Sequence, residues 1–249
     1  MTTVEKLNNL ISIKQDIKKA IENKGVDMTG VSFLGYASKI GEIVSGVGYT
    51  DRDVIEARYQ YNISNSASFV YSSAFEYKAV QTVDLSNCLY VGSNGFFYCT
   101  SLTTVNLPTC TIVYDDAFGY CRSLSQISLP MCSSIRAAAF AYCSSLSQIS
   151  LPVCSYIGGA AFGDCYSLTQ VSLPVCSIIR DYAFYNCSSL SIITIGYSGV
   201  CSLYSIGAFY GTKITSSTGS IYVPASLVDA YKSAENWSYF SSIIYSISQ

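Results

Sequence analysis

The chain has 249 residues, of which 50% are hydrophobic, 14% aromatic and only 12% charged, with a net charge of −2 and no histidine. This composition excludes a largely disordered chain, which needs low hydrophobicity and high net charge. It also argues against nucleic-acid binding, which uses a basic surface. The lack of histidine removes the commonest general base and the commonest nitrogen ligand for metals.

The first 50 residues predict two short helices. Thr3 is a candidate N-cap for a helix that begins near Val4, and Lys24-Gly25 is typical of a helix end. A second helix follows, with Ser32 as its candidate cap. Apolar residues recur at helical spacing on the first helix and mark one face for attachment: Leu7, Leu10, Ile13, Ile17 and Ile21.

Neither an export signal nor a membrane span is predicted. Charged residues interrupt the segment 1–24, so the uninterrupted apolar stretch of a secretory signal does not occur there. No run of 18 apolar residues predicts a transmembrane helix. We therefore expect synthesis in a bacterial cytoplasm, with a signal that has been removed as the alternative.

A fixed repeat governs the middle of the chain. Ten cysteines from Cys88 to Cys187 are spaced by eleven residues, which makes two interleaved series with a period of 22. Leu-Pro, Ala-Phe and Ser-Leu pairs recur with the same period, and the last cysteine, Cys201, follows after three extra residues. A period of this length predicts a solenoid, in which stacked neighbours bury the apolar face of each repeat.

One repeat predicts a short strand and a return segment. Ile149 and Leu151 alternate with polar residues, and Pro152 ends the strand because proline cannot donate to a sheet ladder. The stretch from Ile157 to Phe162 returns along the other side. Strands of successive repeats are expected to stack in parallel, about 4.8 Å apart.

The repeat L-x-x-I-x-L-P-x-C-x-x-I-x-x-x-A-F-x-x-C-x-S resembles the BspA-like class of leucine-rich repeats. The segment 221–232, with Asn236-Trp237 after it, resembles the closing cap of that family. The resemblance implies an α+β chain, a parallel β-solenoid of leucine-rich-repeat type with six or seven turns of 22 residues. The expected domains are a helical attachment or capping module (1–44), a linker with at most one strand (45–66), the solenoid (67–222) and a helical C-terminal cap (223–249).

The leading helices resemble the N-terminal segments of structural and tail-associated proteins of bacteriophages. The matching residues are 13–21, 24–26 and then Phe33, Tyr36, Lys39 and Ile40. This resemblance implies that the chain is a virion component. A helical cap over the first turn of the solenoid is the alternative for the same residues.

The repeated cysteines are expected to be buried, reduced and inert. Parallel Cβ vectors on stacked turns hold the Cβ atoms nearly as far apart as the strands, whereas a disulfide needs about 3.8 Å. A straight row of thiols also does not converge as the four tetrahedral ligands of zinc must. Buried cysteines of this kind behave as small apolar residues. No metal site and no cofactor is predicted.

Catalysis is not predicted either. A cysteine nucleophile needs a base, which is usually histidine. A glycosidase needs two carboxylates roughly 5–9.5 Å apart, but the acids of the repeats are scattered. They are Asp84, Asp115, Asp116, Asp164 and Asp181.

Two rows of outward residues are candidate binding surfaces. The first is a strand ribbon of uncharged donors and acceptors: Thr104, Asn106, Gln126, Ser128, Gln148, Ser150, Gln170, Ser172 and Thr194. The second is a tyrosine row just before the loop cysteines: Tyr98, Tyr120 and Tyr142. Solubility and packing over the next turn are the alternatives for these residues.

Together these features predict a non-catalytic attachment protein whose solenoid binds a protein or a cell-surface glycan. Residues 1–44 would join it to other proteins of a phage virion, as a tail-associated, decoration or fibre protein, or to a second copy of the chain. A secreted or surface adhesin of a gut-type bacterium and a purely structural spacer are the alternatives. Neither nucleic-acid binding nor membrane insertion is predicted.

Overall fold

A computed structural model describes residues 62–65 and 67–247, with side chains from residue 67 onward. These residues belong to the second of the two units into which the chain divides, residues 60–249. The helices predicted for residues 1–44, with their attachment face, lie outside the described residues.

Within residues 62–247, two parallel sheets alternate along the chain, with nine strands in one and seven in the other. In chain order the strands are β1 (Asn62–Asn65), β2 (Phe69–Val70), β3 (Thr82–Leu85), β4 (Tyr90–Val91), β5 (Thr104–Asn106), β6 (Ile112–Val113), β7 (Gln126–Ser128), β8 (Ser134–Ile135), β9 (Gln148–Ser150), β10 (Tyr156–Ile157), β11 (Gln170–Leu173), β12 (Ile178–Ile179), β13 (Ile192–Ile195), β14 (Ser202–Leu203), β15 (Ser220–Val223) and β16 (Ile244–Ser246). The even strands from β2 to β14 form the seven-stranded sheet, and the others form the nine-stranded one.

The sheet order confirms the predicted solenoid, which has seven turns within the described residues, where six or seven were expected. Each turn contributes one strand to each sheet, and each strand pairs in parallel with the equivalent strand of the next turn, as Thr104 does with Gln126. The first strand, β1, pairs with β3 and lies in the segment predicted as a linker with at most one strand. Strands β15 and β16 extend the nine-stranded sheet beyond the last complete turn.

A column of stacked phenylalanine rings fills the space between the sheets. The ring centroids of successive turns lie 5.0–5.8 Å apart, and the ring planes are within 8° of parallel. All seven side chains are fully buried: Phe75, Phe96, Phe118, Phe140, Phe162, Phe184 and Phe209. Each turn alone would leave its ring exposed, so the stacking of turns supplies the hydrophobic core.

The cysteines flank this column and are all buried and free, as predicted. They are more than small apolar residues, because their thiols donate to backbone carbonyls. In one series the acceptor lies two residues further on, as from Cys110 Sγ to the carbonyl of Ile112 at 3.3 Å. In the other series the acceptor is the core phenylalanine of the preceding turn, as from Cys143 to the carbonyl of Phe118 at 3.1 Å. The thiols of the second series therefore tie successive turns together.

Residues 224–247 close the C-terminal end with helix α1 (Val228–Ser233) and two 3₁₀ helices (Ala225–Leu227 and Trp237–Ile243). The indole Nε1 of Trp237 donates to the carbonyl of Cys201 at 2.6 Å, and the hydroxyl of Tyr231 accepts from the amide of Cys201 at 2.8 Å. The cap thus pairs backbone groups that another solenoid turn would otherwise pair. Within the described part of the chain, no helix combines the length and apolarity that crossing a membrane requires.

Replacing Trp237 by phenylalanine tests this cap. We expect Trp237→Phe to lower the free energy of unfolding by about 1–3 kcal/mol, because the buried carbonyl of Cys201 loses its donor and the smaller ring leaves a void. Urea unfolding measures the change. Tyr239→Phe is the control, since that ring is 60% exposed. A loss no larger than that of the control would contradict the capping role.

Candidate binding site

Alternate residues of the nine-stranded sheet point away from the core. In β11, Val171 and Leu173 are buried whereas Gln170 and Ser172 are exposed, because successive side chains of a strand point to opposite sides. We call the outward residues of β5 to β13 the polar face. All nine residues predicted for the strand ribbon lie on it: Thr104, Asn106, Gln126, Ser128, Gln148, Ser150, Gln170, Ser172 and Thr194.

The strand register lines up side chains of the same chemistry. Gln148 pairs with Gln170, and Ser150 pairs with Ser128 on one side and Ser172 on the other. Parallel strands lie about 4.8 Å apart, so this register produces rows of carboxamides and hydroxyls across the sheet. Each carboxamide can both donate and accept hydrogen bonds.

A groove of about 620 Å³ lies over strands β7 to β13. Six residues of the predicted ribbon line it, whereas Thr104, Asn106 and Ser128 do not. Sequence reasoning did not assign five of the lining residues to the ribbon: Ser125, Ile127, Ser147, Ile149 and Val171. None of the lining residues is charged: Ser125, Gln126, Ile127, Ser147, Gln148, Ile149, Ser150, Gln170, Val171, Ser172, Ile192 and Thr194.

The N-terminal end of the polar face differs from the groove. Asn106 donates to the carboxylate of Asp84 at 2.8 Å, so the charge on β3 is already hydrogen-bonded to its neighbour. The groove therefore favours an uncharged ligand that both donates and accepts hydrogen bonds, since a charge buried there would find no opposite charge in the lining.

The tyrosine row forms a stack on the loops. Ring centroids lie 5.4 Å apart between Tyr98 and Tyr120 and 4.3 Å apart between Tyr120 and Tyr142. The guanidinium carbon of Arg122 lies 5.8 Å from the centroids of both Tyr98 and Tyr120. Because the rings cover one another's faces, the row offers a partner mainly ring edges and hydroxyl groups.

The backbone explains where this row lies. Tyr98, Tyr120 and Tyr142 have φ of 59–60°, and the equivalent residues of later turns are Asp164, Asn186 and Gly211, also at positive φ. Asparagine, aspartate and glycine tolerate this region, whereas a bulky residue is strained there. Ring stacking offsets that strain at the tyrosines. The role of the tyrosine row as a binding surface stays a prediction.

The acidic residues of the repeats hold loops together. Asp115 accepts a hydrogen bond from the amide of Ala137 at 2.9 Å. Asp164 accepts from the hydroxyl of Tyr166 at 2.9 Å and from the amide group of Asn186 at 2.7 Å. Burial, and then the charge of Asp115, raise the pKa of Asp116. No group of three acidic, cysteine or histidine side chains in the described residues is placed to hold a metal ion.

Eight of the thiols are protonated at neutral pH because burial raises their pKa. Burial raises the pKa of Cys88 and Cys132 to about 11 and the pKa of Cys99 and Cys154 to about 12. Burial also raises the pKa well above its ordinary value for four others: Cys110, Cys121, Cys143 and Cys165. Since the thiolate is the nucleophile and metal ligand, these cysteines are inert in the folded chain.

The comparisons with known proteins agree with this architecture. A family model described as "BspA type Leucine rich repeat region" matches six copies over residues 59–130 and 111–234. The crystal structure of a leucine-rich repeat protein of T. pallidum is similar, with a TM-score of 0.52 and 29% identity, covering 58% of this chain and 70% of that one. That of a leucine-rich repeat protein from Bacteroides ovatus has a TM-score of 0.56 and 22% identity, covering 72% of this chain and 45% of that one.

No curated protein matches the sequence. The family model nevertheless covers well over half of the chain, and the described residues form the stacked parallel strands that its repeats imply. The chain belongs to the BspA-type leucine-rich repeat family.

Proposed function

We propose that this chain is a non-catalytic binding protein that recognises its partner through the polar face. The observation that carries the proposal is the groove of about 620 Å³, lined only by uncharged side chains of strands β7 to β13 and the serines before β7 and β9. Membership of a leucine-rich repeat family supports it, because such repeats generally mediate binding.

The solenoid holds the polar face in a preorganised shape. Hydroxyl groups next to the strands donate to carbonyls of the preceding turn, as from Thr169 to Ser147 and from Ser191 to Thr169, both at 3.3 Å. Side chains on such a fixed sheet lose little conformational freedom on binding, so more of the interaction energy contributes to affinity.

The chemistry of the remaining groups supports binding rather than turnover. Asp115 and Asp164 are held by hydrogen bonds to neighbouring turns, and burial keeps eight of the thiols protonated, Cys99 among them. A nucleophile or general base needs a pKa near the working pH and access to a substrate.

The setting in which binding occurs has two candidates. The resemblance of residues 13–40 to phage structural proteins supports a virion component. The solenoid is similar at 29% identity to a leucine-rich repeat protein of T. pallidum, which supports a bacterial origin and with it the second candidate, a surface adhesin. Mass spectrometry of density-gradient fractions separates them: banding with phage particles at a fixed ratio to capsid protein supports the first, and banding with cell envelopes supports the second.

Removing the central carboxamides tests the binding face. We expect the full chain carrying Gln126→Ala, Gln148→Ala and Gln170→Ala to bind host and bacterial cells at least tenfold more weakly, because a row of hydrogen-bonding groups is lost from the groove. Flow cytometry with labelled protein measures the bound fraction.

A matched triple variant is the control for this experiment. Met131→Ala, Val153→Ala and Val175→Ala change exposed residues at the same 22-residue spacing, outside the groove. They should leave binding unchanged. Equal losses in both variants, or no loss in the glutamine variant, would contradict a role for the polar face.

A further inference from the structure

One junction of the nine-stranded sheet differs from all the others. Strands β7 and β9 pair only at Ser128 and Ser150, whereas every other neighbouring pair in that sheet matches at least three residues. On either side of this junction the pairing is regular, between β5 and β7 and between β9 and β11. The break is therefore local.

Backbone bonds just before the strands show the same opening. The amide of Ser125 donates to the carbonyl of Thr103 at 3.0 Å, and the amide of Thr169 donates to the carbonyl of Ser147 at 3.2 Å. The same backbone bond recurs between successive described turns from Gln81 to Ser191. The exception is the bond from the amide of Ser147 to the carbonyl of Ser125, which is missing. The junction is closed at Ser128–Ser150 and open at Ser125–Ser147, and we call this wedge the seam.

The seam uncovers an apolar residue. Ile127 is partly exposed, although its equivalents Val105, Ile149 and Val171 are 1%, 7% and 2% exposed. Residues of both strands that border the seam line the groove, and Ile127 is among them. The groove thus has an apolar floor between two polar walls.

This arrangement favours one class of ligand. Carboxamides and serine hydroxyls on the walls can donate and accept, and the apolar floor suits a C–H surface. A sugar ring presents both: hydroxyl groups at its edge and an apolar C–H face. A peptide strand adds to an exposed sheet edge, whereas β7 and β9 are interior strands that rejoin at Ser128 and Ser150.

We propose that the seam is a subsite for a sugar ring of a neutral glycan, with Gln126 and Gln148 on its hydroxyl groups and Ile127 beneath its C–H face. This inference rests on the proposed function and names the ligand class for the same face. The lack of charge in the lining selects against uronic acids and sulfated sugars, whose carboxylate or sulfate would be desolvated without a partner.

Affinity electrophoresis and titration calorimetry of the full chain test the subsite. The probes are mannan, mixed-linkage β-glucan and galactan, with alginate and heparin as anionic counterparts. We expect at least one neutral polysaccharide to bind and both anionic ones to fail. Gln126→Ala with Gln148→Ala, and separately Ile127→Ala, should each weaken that binding at least tenfold.

The control changes two exposed residues at the same 22-residue spacing outside the polar face. Met131→Ala with Val153→Ala should alter affinity less than twofold. Circular dichroism checks that each variant folds. If Ile127→Ala misfolds, the double glutamine variant remains the test of the subsite, because both glutamines are exposed and their replacement does not disturb the core.

Two results would overturn the subsite and leave the proposed function standing. One is cell binding that depends on the polar face while no neutral polysaccharide binds. The other is polysaccharide binding that the seam variants do not weaken. If the triple glutamine variant binds cells as well as the unchanged protein does, the proposed function itself is overturned.

Discussion

Raising the pH from 7 to about 9.5 is expected to remove most of the protein's stability. The unfolded thiols ionise near an ordinary pKa of 9.0, whereas burial in the folded chain raises the pKa of Cys88 and Cys132 to about 11 and of Cys99 and Cys154 to about 12. Because the folded pKa is the higher one, the unfolded state binds fewer protons above pH 9. Stability contributed by the neutral thiols is thus present below pH 9 and lost as the pH rises towards 12.

The effect is large because it is repeated. The contribution of each thiol to the free energy of unfolding falls by about 0.4 kcal/mol at pH 9 and by about 0.8 kcal/mol at pH 9.5. For the eight thiols whose pKa burial raises, the free energy of unfolding falls by about 7 kcal/mol in total at pH 9.5, which is comparable to the total stability of a typical domain. Urea unfolding of the full chain between pH 7.5 and 9.5, with a reductant present, measures the slope.

Cys143→Ala is the matched variant for the alkaline experiment. Burial raises the pKa of Cys143, so removing this thiol should make the fall in stability with pH shallower by about 1 kcal/mol per pH unit near pH 9.5. A stability that stays flat to pH 9.5, or a slope that Cys143→Ala leaves unchanged, would contradict a buried neutral thiol ladder.

Removing one ring from the phenylalanine column is expected to cost about 3–5 kcal/mol of unfolding free energy. Phe140 is fully buried and stacks between Phe118 at 5.2 Å and Phe162 at 5.4 Å. Phe140→Ala leaves a cavity in the middle of the column that neither neighbouring ring can fill, since each is held by its own turn. Urea unfolding at pH 7 measures the loss.

Phe97→Ala is the control for the column. The same side chain is removed from a partly exposed ring on the tyrosine loops, outside the core, so we expect about 1 kcal/mol. A loss for Phe140→Ala as small as that for Phe97→Ala would show that the column contributes no more than a surface contact.

The periodic features of the fold were predictable from the sequence. The 22-residue period places Ile149 and Leu151 on the core side and Gln148 and Ser150 on the outer side, and the structure has this alternation. Such features follow because stacked repeats repeat their environments as well as their residues. The polar face could therefore be predicted residue by residue from the pattern alone.

The seam could not be predicted in this way. Residues 123–130 and 145–152 have the same sequence, S-L-S-Q-I-S-L-P, yet Ile127 is partly exposed and Ile149 is buried. Identical sequences cannot signal which junction opens, so the opening depends on how the stacked turns fit together over a longer range. The acceptors of the thiols were also missed, because spacing along the chain does not show which carbonyl faces each sulfur.

Hydrogen exchange with mass spectrometry tests directly whether the polar face binds the partner. The full chain is compared free and saturated with the polysaccharide or cell-surface ligand that the binding assays identify. We expect slower exchange in peptides that contain β7, β9 and β11, and no change in peptides of the seven-stranded sheet. Protection confined to the seven-stranded sheet or the tyrosine loops, or binding assays that yield no ligand, would contradict binding at the polar face.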